Sequence, residues 1–137
     1  MIQPLTPAER AAQLESDLAG FIGTESYTSL RYPWLRQRFL LTDGAKYLAD
    51  QAKAYWLMDA IASHQQASKA VADEEFQFWT LSVGEKRAAV LICTDGNNKE
   101  LVRQKISYTD FPLNTITLYV ALDECLGGLV VMLTSEY

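Results

Sequence analysis

Near residue 73 the apolar period of this chain changes, and no other feature narrows its fold so far. Upstream, apolar side chains recur every three or four residues, as on a helix face. Downstream they alternate, as along strands with two unlike faces. Helices followed by consecutive strands predict an α+β fold with the helices on a sheet that is mainly antiparallel. The expectation is one domain over 1–137, with two main N-terminal helices and a short helical turn packed on a five-stranded meander.

The first helix starts at Thr6-Pro7-Ala8-Glu9, a capping box: the Thr6 hydroxyl accepts from a first-turn amide and Glu9 reaches back. Pro7 stands where a missing N–H costs nothing. Leu14 and Leu18 form a narrow stripe, and Gly20 is a natural stop. The stretch from Gly23 to Ser29 reads as loop, and Pro33 opens a helical turn in PWLRQRFLL. Asp43 is expected to cap a main helix from about Gly44 to Gln65. At 100° per residue Leu48, Ala52, Tyr55, Asp59 and Ala62 share its apolar face, and Leu57 and His64 fall opposite.

QASKAVAD then leads to five expected strands, Phe76 to Val83, Arg87 to Thr94, Glu100 to Tyr108, Thr115 to Ala121 and Gly128 to Thr134. Gly84-Glu85-Lys86 and Asp95-Gly96-Asn97-Asn98 read as hairpin turns, and Pro112 interrupts the next connection. Ala88 to Cys93 and Leu129 to Leu133 are apolar at every position, which predicts strands covered on both faces or buried in an oligomer.

A hydrophobic content of 49% with 21% charged residues is that of a chain with a packed core. The net charge of −5 belongs wholly to the part after residue 72, which argues against a phosphate-binding surface there. MIQPLTPAER lacks the basic start and apolar centre of a secretion signal, and Leu129 to Leu133 is far short of the roughly 20 residues of a membrane helix. A cytoplasmic protein, not bound to membrane, with Cys93 and Cys125 reduced is the expectation. No catalytic motif is present, and neither cofactor nor metal is expected: His64 is the only histidine, read as a surface residue, and the cysteines lie in separate elements. At Cys125 the adjacent Asp123 and Glu124 oppose formation of a reactive thiolate.

Two groups of residues stand out. Asp59, on the predicted apolar face, must be satisfied if buried, either as a polar anchor or as the acid of a pocket with Asp43 and Tyr55. Arg31, Tyr32, Trp34, Arg36 and Arg38 interleave cations and aromatics. That pattern suits a protein-binding hot spot, a nucleic-acid surface, or a core cover whose arginines pair with acids elsewhere.

FIGTES (21–26), TDGAKYLAD (42–50), AYWLMDAIASHQ (54–65), YTDFPL (108–113) and LTSEY (133–137) together resemble a family of small bacterial and mobile-element proteins of unknown function. The resemblance runs from about Phe21 to Tyr137 and implies the same element order, with no activity to carry over. It draws attention to Asp43, Lys46, Tyr47, Tyr55, Trp56, Asp59 and Asp110, and the loop from Asp123 to Gly128 is long for a tight hairpin. The functional expectation is a non-enzymatic protein-interaction module, accessory or inhibitory on a mobile element, that binds a host protein or a further copy of itself. The alternatives are a small-molecule or nucleotide site, or a minor enzyme, at Asp43, Tyr55 and Asp59, and then a nucleic-acid binder through Arg31, Arg36 and Arg38.

Overall fold

The last strand of the chain, Gly128–Leu133, lies inside the sheet, and five of its six residues are buried. This computed structural model describes residues 3–137, so the first two positions of the expected 1–137 span, and of its N-terminal signal reading, lie outside the described residues. In chain order the elements are α1 (Pro7–Ala19), β1 (Tyr27–Leu30), β2 (Arg38–Thr42), α2 (Asp43–Gln51), α3 (Tyr55–Ala67), α4 (Lys69–Ala72), β3 (Phe76–Val83), β4 (Ala89–Thr94), β5 (Glu100–Ile106), β6 (Thr115–Asp123) and β7 (Gly128–Leu133). Short 3-10 turns follow β3 and β7.

Local signals act as read. The Thr6 hydroxyl accepts from the Glu9 amide at 3.1 Å, and Glu9 accepts from the Thr6 amide at 3.1 Å. Leu14 and Leu18 are the residues α1 buries. At Asp95-Gly96 the positive φ of 86° at Gly96 closes the turn over the Phe78 ring, where a Cβ would lie 2.4 Å from the ring.

Among the described residues the sheet has seven strands, in the order β1-β2-β7-β6-β3-β4-β5, which corrects the five-stranded meander. β3, β4 and β5 do form a meander, but the connection through Pro112 returns β6 to the other side of β3. β7 folds back on β6, and β2 pairs with β7 in parallel, making the sheet mixed. The expected helical turn is therefore partly strand β2. Its burial is almost complete beyond Arg38, so it lacks the alternation that marks a strand, and a short apolar run reads equally as buried helix. Among the described residues β1 pairs only with β2, and its Thr and Ser resemble a loop until that partner is present.

The main helix is in fact two. Lys53 takes a left-handed φ of 50°, and the Ala54 amide donates to the Ala49 carbonyl at 2.9 Å. This is a Schellman closure with lysine in the place usually held by glycine. No Gly or Pro announces it. Extending one wheel across the break misassigned the second half: α3 buries Leu57, Met58, Ile61, Ala62 and Gln65, and Asp59 is exposed. Within α2 the buried Ala45, Leu48 and Ala49 keep a regular stripe.

All helices cover one side of the sheet, where Phe39, Leu41, Trp79, Leu81, Leu91, Leu118 and Val131 join the helical side chains in one core. Burial of such apolar area, at about 25 cal/mol per Å², is the main force holding the two layers together. β7 is covered on both faces as expected, but β4 is not: Ala89, Leu91 and Cys93 are buried while Val90 and Ile92 remain half-buried on the other side. No helix among the described residues is long and apolar enough to cross a membrane.

Candidate functional site

The segment between β1 and β2 is held from within and open outside. The Tyr32 ring packs edge-on against buried Phe39 at 5.5 Å, and its hydroxyl donates to the Asp59 carboxylate on α3. Burial, and then this bond, push the Tyr32 phenol well above its ordinary value. Trp34 leans on Tyr32 at 5.1 Å between centroids yet stays 45% exposed. Arg31, Arg36 and Arg38 are exposed and, with Tyr32 and Leu35, line one shallow hollow. Among the described residues none of the three belongs to an ion pair; Arg38 donates to the Leu126 carbonyl at 3.2 Å. The pairing of these arginines with acids of the C-terminal part is therefore not what the structure shows.

Asp43, Tyr55 and Asp59 serve three separate contacts. Thr42, not Asp43, caps α2, accepting from the Ala45 amide at 3.2 Å. The half-buried Asp43 carboxylate instead accepts from the Glu25 amide at 2.9 Å and the Ser26 hydroxyl at 2.8 Å, which lowers its pKa. Tyr55, at the start of α3, is 36% exposed and donates to Asp50 at 2.5 Å. Asp59 is exposed, contrary to the buried position expected, because the break in the helix rotates α3; its hydrogen bond is the one from Tyr32. A groove of about 370 Å³ lies elsewhere, between α1, α2 and Asp110 to Pro112. There Arg10, Lys53 and Asp110 surround the Tyr47–Asp17 hydrogen bond of 2.7 Å.

His64 is half-buried rather than on the surface: its Nε2 lies 2.7 Å from the Gln104 amide oxygen and its ring lies on Trp79 at 5.7 Å. Cys93 is buried, which pushes its thiol up to about 12, and Cys125 is exposed; neither is in a disulfide. Among the described residues no group of three His, Cys, Asp or Glu side chains is placed to hold a metal.

What the sequence reading missed is the second face of the sheet. Strand alternation turns Gln77, Trp79 and Leu81 toward the helices and Phe76, Phe78 and Thr80 away from them. Phe76, Phe78, Tyr119 and Tyr137 form a ring cluster on that uncovered side, with centroids 5.0 to 5.7 Å apart. Thr80 and Thr117 continue it, their hydroxyls 3.1 Å apart, and Ile92 and Met132 flank it, half-buried. The signal was present in Phe76-Gln77-Phe78-Trp79, where large side chains occupy both alternation phases.

A model described as a family of unknown function, DUF6876, matches residues 12–137. No curated protein and no solved structure matches the chain.

Proposed function

The chain belongs to the DUF6876 family of unknown function, and we propose that it is a non-enzymatic protein-interaction module engaging its partner through the segment from Arg31 to Arg38. One observation carries this reading. Tyr32 is anchored to both Phe39 and Asp59, so the exposed Trp34 that leans on it has a fixed base, flanked by three exposed arginines that form no ion pair among the described residues. Exposed aromatic and arginine side chains are the usual anchors of an interface, and the Trp34 ring, seated on anchored Tyr32, has little side-chain entropy left to lose on binding. Cations that form no ion pair within the described residues favour a protein whose surface offers carboxylates. The accessory or inhibitory role on a mobile element rests on the resemblance of the quoted strings.

Affinity capture from the source cells tests the module directly. Replacing Trp34 and Arg36 together by Ala should abolish capture of the partner and leave the melting temperature nearly unchanged. Retention of the partner by the double variant overturns the assignment. An oligonucleotide shift that weakens steeply with salt would favour the nucleic-acid reading instead.

A second reading has its own observation in the groove at Arg10, Tyr47, Lys53 and Asp110, whose volume of about 370 Å³ suits a small polar ligand. Ligand-dependent thermal shifts lost in Lys53→Ala would support it.

A further inference from the structure

We propose that the groove between α1 and α2 binds a short peptide, of two or three residues, by its two charged ends. The proposal rests on the second reading above and gives that groove its ligand.

The groove holds opposite charges that are kept apart. Arg10 and Asp17 both line it from α1, seven residues and so about 10 Å of helix from each other. The Arg10 Nε donates to the Leu5 carbonyl at 3.2 Å, which turns the guanidinium toward the start of the helix and away from Asp17. The half-buried Asp17 carboxylate is fixed in its own place, accepting from the Gln13 side-chain amide at 2.8 Å and the Tyr47 hydroxyl at 2.7 Å. Those bonds, that of Tyr47 first, hold it below the ordinary carboxylate range, so it is charged at neutral pH. Lys53, between α2 and α3, and Asp110, before β6, are exposed and add one charge of each sign. Among the described residues none of the four belongs to an ion pair. Backbone strain gathers at ligand clamps, and the left-handed Lys53, at φ 50°, brings its cation to this groove.

These charges select the ligand. Two cations and two carboxylates sum to zero, so a phosphate or a polyamine meets repulsion as well as attraction, whereas a zwitterion is matched at both signs. A free amino acid carries its ammonium and carboxylate on one carbon, too close together to reach both Arg10 and Asp17. Extended peptide spans about 3.3–3.6 Å per residue, so two or three residues reach across, with the flexible Lys53 side chain taking up the difference. The peptide carboxylate faces Arg10 and Lys53, and its ammonium faces Asp17. Between them the buried Leu14 and Ala52 offer an apolar floor for small side chains. The exposed Gln51 amide supplies a donor and an acceptor for a peptide group.

Isothermal titration calorimetry of the full chain tests this with trialanine, N-acetyl-trialanine, trialanine amide and alanine. Trialanine should bind, and each blocked form should bind on the order of tenfold more weakly, because one charge-assisted contact is lost. Alanine should be weaker still. Lys53→Gly should weaken trialanine on the order of tenfold while the chain stays at least as stable as wild type, which separates a role in binding from one in folding. Asp17→Asn, which keeps an oxygen for the Tyr47 hydroxyl, should abolish the preference for a free N-terminus. Blocked peptides that bind as tightly as trialanine overturn the peptide assignment, and so does a trialanine that fails to bind at millimolar concentration. Melting shifts with sugars, nucleotides and organic acids, lost in Lys53→Ala, judge the groove separately. A hit among these with no peptide bound leaves a small-molecule groove of other chemistry, and no hit from any compound removes both readings.

Discussion

The Tyr32 hydroxyl donates to the Asp59 carboxylate, joining the loop before β2 to α3 across 27 residues of sequence. Two more tyrosine–aspartate bonds repeat the device, Tyr47 to Asp17 between α2 and α1 and Tyr55 to Asp50 across the helix break. Each phenol is raised above its ordinary value, Tyr32 first by burial and the other two first by the bond to aspartate. A group whose folded pKa is raised contributes stability that is complete below its unfolded value, here about 10, and is lost as pH rises through the folded value. Urea midpoints should therefore fall from about pH 10 upward, and Tyr32→Phe should flatten that fall. An unchanged alkaline profile in Tyr32→Phe would show that the bond does not couple to folding.

Glu136 closes the molecule from its other end. Its carboxylate accepts from the Thr42 hydroxyl at 2.6 Å, the Gly44 amide at 3.0 Å and the Leu133 amide at 2.9 Å, satisfying the start of α2. A Cβ at Gly44 would lie 2.5 Å from that carboxylate and 2.6 Å from Leu133. Gly44→Ala should cost about 1–3 kcal/mol by crowding, and Glu136→Ala about 1–3 kcal/mol by leaving donors unpaired. Equilibrium urea denaturation measures both, and a Gly44→Ala chain as stable as wild type would mean the terminal turn yields freely.

Lys53 holds a conformation that glycine adopts more easily. Lys53→Gly should raise stability by roughly 0.5–1 kcal/mol, because the left-handed penalty at this one position exceeds the entropy cost of glycine. If the same denaturation series shows a loss instead, the lysine side chain makes a compensating contact in the groove beside it.

Gln77 is fully buried and joins α3, α4 and β3. It exchanges hydrogen bonds of 2.7 and 2.9 Å with Gln65, donates to the Val71 carbonyl at 2.9 Å, and accepts from the Trp79 indole at 2.9 Å. Gln77→Leu should cost about 2–4 kcal/mol, since it strands partners that no water can reach. Gln65→Leu in the same background should then cost less than it does alone, which a double-mutant cycle reads directly.

The first capping box, the Asp-Gly turn and the five strands after residue 73 were legible because each is decided by neighbours within a few residues. The exposed Trp34 and Arg36 could be named from composition, but the anchoring of their neighbour Tyr32 on Asp59 could not, since it depends on the rotation of α3. Three features needed the whole chain: the left-handed Lys53, the conversion of Arg38–Thr42 into a strand, and the parallel pairing of β2 with β7. Arg38 and Gly128 are paired residues ninety positions apart. An apolar run such as Phe39-Leu40-Leu41 carries no period of its own, so only the partner strand that satisfies its amides and carbonyls makes it a strand.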